Sequence, residues 1–289
     1  MLQQAIVDEI VSRVGDLPAI PAVVAEVLRV TDDPNSDMTQ ISAVVQADPA
    51  LTAKILRVSN SSYYGMKQYV GTIKLALVIL GVREVRNIVL GISVFDALQN
   101  NALGGDLLRE IWDNSLRVAA VAKHLGVSMG LGLQGEEFIT GLLSDIGKMV
   151  MLRCIGVSYL EVLKANRADP VALCKAELQE IGCDHADIAM ALAVRWNLPQ
   201  ALADALWRQY PRAGYSLKTA SDPKLAAVVR IAKRAAIDDF SAPGKPLCLS
   251  ETEAWEELAG AKKPVPPEKR FAFLAAFIEE LKSAPRLPL

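Results

Sequence analysis

Histidine is scarce in this chain: His124 and His185 are the two present among 289 residues. A metal site that calls for several imidazoles is therefore short of donors. Cysteine is equally sparse. Cys154, Cys174, Cys183 and Cys248 lie far apart with no C-x-x-C pair, which suggests neither a disulfide framework nor a thiolate zinc site. No glycine-rich phosphate loop occurs, nor any run of about 18 apolar residues. Met1-Leu2-Gln3-Gln4 has no basic region ahead of an apolar run. Neither export nor membrane insertion is expected, and a reducing cytoplasm fits best. Charge of either sign is not in excess. With a net charge of -2 and a pI near 5.8, no global field draws the chain toward nucleic acid or an anionic membrane, although a local basic patch stays open.

What is present is apolar periodicity. A hydrophobic fraction of 52% with 22% charged residues reads as a soluble globular chain, long enough for one large or two modest domains. Ile6, Ile10 and Val14 form one stripe; Val23, Val24, Val27 and Leu28 form the next after the turn Leu17-Pro18-Ala19-Ile20-Pro21. Asp48-Pro49 predicts an N-cap followed by proline at the first helical position, opening a helix with Leu51, Ile55, Leu56 and Val58. Ser59-Asn60-Ser61-Ser62-Tyr63-Tyr64-Gly65 reads as a polar, aromatic loop. Thr72 caps a helix that ends at Gly81, and a helix with Val85, Ile88, Val89 and Ile92 follows at once. A helix, a glycine turn and a second helix bearing Arg83 and Arg86 is the outline of a DNA-reading helix-turn-helix. The alternative is a pair of core helices, since the second is apolar at i, i+3, i+4 and i+7.

Asn100–Gly105 marks a lobe boundary. Gly104-Gly105-Asp106 is similar to the start of the cyclic-dinucleotide cyclase signature, but Leu107 and Leu108 follow where an acidic-aromatic pair is required. Asp106 reads as a helix N-cap. Beyond it come helices around Trp112, the stretch Gly141–Lys148, Leu160 and Leu163, Pro170 to Gly182, Asp184 to Trp196, Ala201–Gln209 and Leu225–Ala236. Ser250-Glu251-Thr252-Glu253 predicts a capping box for a short helix around Trp255. The last helix carries Phe271, Leu274, Phe277, Ile278 and Leu281, a stripe that covers the core or forms a homodimer surface. No strand-period alternation and no internal repeat is evident. The expectation is an all-α, two-lobed helical bundle with residues 1–105 as the N-terminal lobe, 106–240 as the second lobe and 241–289 as a C-terminal helical extension.

Gly141-Leu142-Leu143-Ser144-Asp145-Ile146-Gly147-Lys148 places one polar pair, Ser144-Asp145, in apolar surroundings. Burying a carboxylate requires a partner. Ser144 beside Asp145 makes no triad, because a serine nucleophile needs a base within reach and His185 is the one candidate.

Several landmarks occur together: Leu17-Pro18-x-Ile20-Pro21, Asp48-Pro49-x-Leu51, Ser59 to Gly65, Leu80-Gly81, Trp112 with Ser115 and Val118, the Leu-Leu-x-Asp-Ile-Gly-Lys stretch, and His185 followed by Trp196-Asn197-Leu198-Pro199. In this order, over about residues 15–235, they resemble the HDOD family, the HD-related output domains of bacterial signalling. The resemblance implies an all-α fold of the HD superfamily in the second lobe and a non-catalytic, regulatory or scaffolding role. HD phosphohydrolases hold divalent metal through a first His, a His-Asp doublet and a distant Asp, with further His residues in two-metal relatives. Aligned by the flanking landmarks, the first His falls on Asn114 and the doublet on Ser144-Asp145. The later His is His185, the following His pair falls near Gln209-Tyr210, and the distant Asp falls near Lys233. Asp145 and His185 alone are left of that ligand set, and His124, ten residues beyond Asn114, cannot substitute for it. No cofactor and no metal is expected.

The expected function is that of a non-enzymatic bacterial signal-transduction protein, acting by contact with a protein partner downstream of a sensor or response regulator. Tyr63 and Tyr64, read as exposed, and the groove between lobes are the candidate contact surfaces; the two tyrosines could equally pack one lobe on the other. Two other readings stay open: a degenerate HD-type phosphodiesterase or nucleotide hydrolase, and a DNA-binding regulator. A small ligand in the vestigial pocket also stays open. Lys233 is either exposed or supplies Asp145 with the positive charge lost with the metal.

Overall fold

The computed structural model describes residues 2–13, 22–33, 35–60, 64, 68–99, 105–166, 169–196, 198–212, 214–237 and 247–283. It is all-α. In chain order the helices are α1 (Leu2–Arg13), α2 (Ala22–Asp32), α3 (Met38–Gln46), α4 (Pro49–Ser59), α5 (Ile73–Leu80) and α6 (Val82–Gln99), followed by α7 (Gly105–Ser128), α8 (Glu136–Leu143), α9 (Ile146–Ile155), α10 (Val157–Ala165) and α11 (Pro170–Glu180). The rest are α12 (His185–Arg195), α13 (Gln200–Trp207), α14 (Pro223–Ala235), α15 (Thr252–Glu257) and α16 (Arg270–Ser283). No described helix is long and apolar enough to cross a membrane.

Aspartate followed by proline starts three of these helices. Asp48, Asp169 and Asp222 each adopt an extended backbone, accept from amides of the first turn, and precede a proline at the first helical position. The carboxylate satisfies a helix amide that has no carbonyl partner, and the proline gives up an N–H the helix would leave unused. Thr72 caps α5 as expected, accepting from Leu75 N at 3.1 Å. Gly81 ends that helix with φ +89°, a left-handed backbone that favours glycine.

The chain divides into two compact units: Met1–Asp16 with Asn101–Ile278, and Leu17–Asn100 with Glu279–Leu289. This differs from the expected boundaries in two places. The N-terminal helix falls with the second lobe, where Gln3 Nε2 donates to Asp187 Oδ2 at 2.9 Å and Arg195 Nη1 donates to the Val11 carbonyl at 2.7 Å. Most of the C-terminal extension belongs to the same unit, because α15 packs on α14 through Arg230–Glu253 at 2.8 Å and Arg234–Glu251 at 3.1 Å.

The capping box at residues 250–253 does not form. Glu251 stands at the N-cap of α15 without a side-chain cap, and Glu253 instead accepts from Ser216 Oγ at 2.6 Å and Leu217 N at 2.7 Å while pairing with Arg230. A charge-assisted cluster around a nearly buried guanidinium outcompetes a local cap. Asp106 lies inside the first turn of α7 rather than at its N-cap.

In the Leu17–Asn100 unit, Val85, Ile88, Val89 and Ile92 of α6 are all buried, as the core-helix reading expects. Asn60 closes the loop after α4: its amide donates to the Leu56 and Val70 carbonyls and accepts from Val70 N at 2.7 Å. Tyr64, expected as an exposed contact residue, is buried. Its ring is worth more in the core than in water, and burial with the nearby Glu84 carboxylate pushes its phenol well above the usual value. Tyr63 lies outside the described residues. On α16, Leu274 and Ile278 are buried and the Phe277 ring stacks on His124 at 4.0 Å, so much of that stripe is engaged within the chain.

Candidate functional site

The site lies in the Asn101–Ile278 unit, where α7, the α8–α9 junction, α12 and α14 converge. Two glycines of the 141–148 stretch make the convergence possible. A Cβ on Gly141 would lie 2.7 Å from the Ala119 Cα of α7, and one on Gly147 would lie 1.8 Å from the His185 carbonyl oxygen at the start of α12. Backbone approaches this close admit no side chain.

Asp145 sits at the N-cap position of α9, yet its carboxylate caps nothing. It points instead into a charged cluster. Asn114 Nδ2 donates to Oδ2 at 2.9 Å, Lys148 Nζ lies 2.7 Å from Oδ1, and Lys233 Nζ lies 2.6 Å from the same oxygen. Asp145 is 1% exposed and Lys233 3%. Burial would push the Asp145 carboxyl up, but the Lys148 and Lys233 ammoniums hold it well below the usual carboxylate range. Burial pushes the Lys233 ammonium down to about 8 against the pull of Asp145. Lys148, less enclosed, is raised because the attraction of Asp145 outweighs its desolvation.

The other expected residues group around His185. Its Nδ1 lies 2.7 Å from Glu177 Oε2, which also accepts the His185 backbone N–H at 3.0 Å, and Tyr159 OH donates to Oε1 at 2.6 Å. The Tyr210 ring packs edge-on against the imidazole with centroids 5.4 Å apart. Ser144 and Gln209 are fully buried, and neither the Ser144 hydroxyl nor the Gln209 amide has a hydrogen-bond partner among the described residues. Arg212 ties the start of α12 in place, bidentate on Asp184 at 2.5 and 2.6 Å and 3.2 Å from Asp187. All seven expected residues are thus in one helical unit: Asn114, Asp145 and Lys233 form one cluster, His185 sits on Glu177, Tyr210 touches both with its ring against the imidazole and 5.6 Å from Lys233 Nζ, and Ser144 and Gln209 are buried without a partner among the described residues.

Sequence reasoning missed Lys148, Arg117, Glu177 and Tyr159. The i, i+3 spacing of Asp145 and Lys148 is a signal that was available. Glu177 and Tyr159 carry none, because nothing local ties them to His185.

These residues do not fit a divalent metal. Both oxygens of the one carboxylate at the expected position are engaged, and an ammonium stands 2.6 Å from it where the resemblance places an acidic ligand. Cys174, Glu177 and His185 do have potential ligand atoms within 4.8 Å of one another. However, Glu177 already accepts three hydrogen bonds, and burial with the Asp184 and Glu177 carboxylates pushes the Cys174 thiol well above its usual value.

A cavity of about 180 Å³ opens beside Asp145. Its polar lining is Glu110, Asn114, Arg117, Asp145, Lys148, Tyr210 and Lys233.

The HDOD domain family matches residues 17–211. A solved HDOD domain protein of unknown function from Geobacter sulfurreducens superposes with a TM-score of 0.80 at 20% identity, covering 98% of this chain and 96% of that one. A protein from Shewanella amazonensis SB2B that carries a provisional phosphohydrolase name has a TM-score of 0.73 at 26% identity, covering 94% of each chain. An uncharacterized protein of Treponema pallidum (strain Nichols) is 26% identical over 200 residues, which are 68% of this chain and 38% of the relative's length.

Proposed function

The chain belongs to the HDOD family, and from that premise we propose that it is a non-catalytic regulatory protein of bacterial signal transduction, working in the cytoplasm through contacts with a protein partner. One observation carries the reading: the Lys233 ammonium lies 2.6 Å from Asp145 Oδ1, with Lys148 at 2.7 Å. A cation brought to Asp145 would have to displace two positive charges already there, and neither ammonium can be a ligand while protonated. A hydrolytic metal would otherwise polarise a phosphoryl oxygen and generate hydroxide. Asn114 and Ser144, in place of imidazoles, do not restore a ligand set.

The phosphohydrolase name of the Shewanella protein, at 26% identity, keeps an enzymatic reading in view. Metal analysis of the purified chain, with turnover assays on cyclic dinucleotides and nucleotides under added manganese, separates the two. The expected result is no stoichiometric metal and no turnover, with a specific protein partner recovered from lysate of the native cell. Stoichiometric metal together with turnover abolished by Asp145→Ala would overturn the proposal.

A further inference from the structure

The cavity beside Asp145 concentrates hydrogen-bond donors beyond what its acceptors use. Arg117, Lys148 and Lys233 line it with two carboxylates, Asp145 and the exposed Glu110 at its rim, so positive groups outnumber negative ones. Asp145 accepts from Asn114 on Oδ2 and forms ion pairs with Lys148 and Lys233 on Oδ1. An ammonium carries three donors, yet among the described residues Lys233 Nζ has its ion-pair contact with Asp145 and no hydrogen-bond partner. The Tyr210 hydroxyl and Arg117 Nε are buried with no partner among the described residues, and so is one neutral acceptor, Asn114 Oδ1. Unsatisfied buried donors are costly and rarely gather at one place without a reason. Here three of them, on Arg117, Tyr210 and Lys233, line one cavity.

The remaining lining is apolar, with Leu107, Ile111, Leu163 and Leu173 among it. The cavity volume is about 180 Å³. That suits a compact molecule with a charged end and a short apolar body. Surplus positive charge and free donors select an anion, and the fork of a guanidinium matches the oxygens of a carboxylate or phosphoryl group.

We propose that this cavity binds a small organic oxyanion, its carboxylate or phosphoryl head held by Arg117, Lys148, Lys233 and the Tyr210 hydroxyl, and its body lying on Leu107, Ile111, Leu163 and Leu173. The ion pairs on Asp145 then have a second use. They hold two ammoniums at the cavity wall, with protons left over for the ligand. Ligand binding and partner contact are read by separate measurements, so the failure of either leaves the other standing.

Titration calorimetry on the full chain with phenyl phosphate, hexanoate and inorganic phosphate, at fixed ionic strength, tests the site. Saturable binding of phenyl phosphate or hexanoate at one site per chain is expected, and the tighter of the two identifies the head group. Arg117→Ala, checked for folding by circular dichroism, should weaken that binding about tenfold or more. Tyr210→Phe, which removes one hydroxyl, should weaken it several-fold and serves if Arg117→Ala does not fold. No saturable binding by any of the probes, or undiminished affinity in the variants, overturns the proposal. Inorganic phosphate binding as tightly as phenyl phosphate overturns the apolar half of it.

Discussion

Two buried carboxylates of the same helical unit, Asp145 and Glu177, are satisfied in opposite ways. Glu177 takes its bonds from Tyr159 OH, the His185 backbone and the His185 ring in the interior, where His185 Nε2 is the one atom of the set without a partner among the described residues. Asp145 is held by two ammoniums and an amide beside a cavity. The first arrangement spends its donors on the carboxylate. The second leaves donors over, which is why the same kind of residue reads as a brace in one place and as part of a binding site in the other. Both carboxyls are pulled below their usual range against burial, Glu177 by His185 and Asp145 by its lysines.

The comparison is broken most severely by removing Asp145. Asp145→Ala leaves the Lys233 ammonium buried without its counter-charge and should cost about 3–5 kcal/mol of unfolding free energy, measured by urea denaturation. A loss below about 1 kcal/mol would mean that the cluster is solvated and the pair weak. Acid sharpens the same point. A carboxyl held low in the folded state contributes stability above the unfolded value near 4, and that contribution is lost as pH falls through the folded value. Wild-type stability should therefore fall steeply below about pH 4, and Asp145→Ala should show a shallower acid limb because one depressed carboxyl is gone.

The tyrosines separate the clusters with smaller effects. Tyr159→Phe removes a hydrogen bond to a buried charge and should cost about 1.5–3 kcal/mol in the same denaturation experiment. Tyr210→Phe removes a hydroxyl that has no partner among the described residues and should change stability by less than about 0.5 kcal/mol, or raise it. Equal losses at the two positions would erase the distinction between a closed brace and an open site.

What the sequence determined by itself is whatever is decided within a turn or two of chain. Asp48-Pro49, Thr72 and Gly81 act at the helix ends where they were read, and the apolar stripes of α6 and α16 face inward. That Asn114, Ser144 and Lys233 stand where the family resemblance places imidazoles and an acid rests on residue identity at positions marked by their neighbours. Tertiary structure decided the rest. Lys233 could have been exposed; only the packing of α14 against α7 and α8 brings its ammonium to Asp145. Tyr64 was read as a contact residue and is buried, and Glu253 was read as a cap and pairs with Arg230 instead. In each case a partner distant in the chain outweighed the local preference. Local propensities amount to about 1 kcal/mol or less per residue, whereas pairing a buried charge or burying an aromatic ring is worth more.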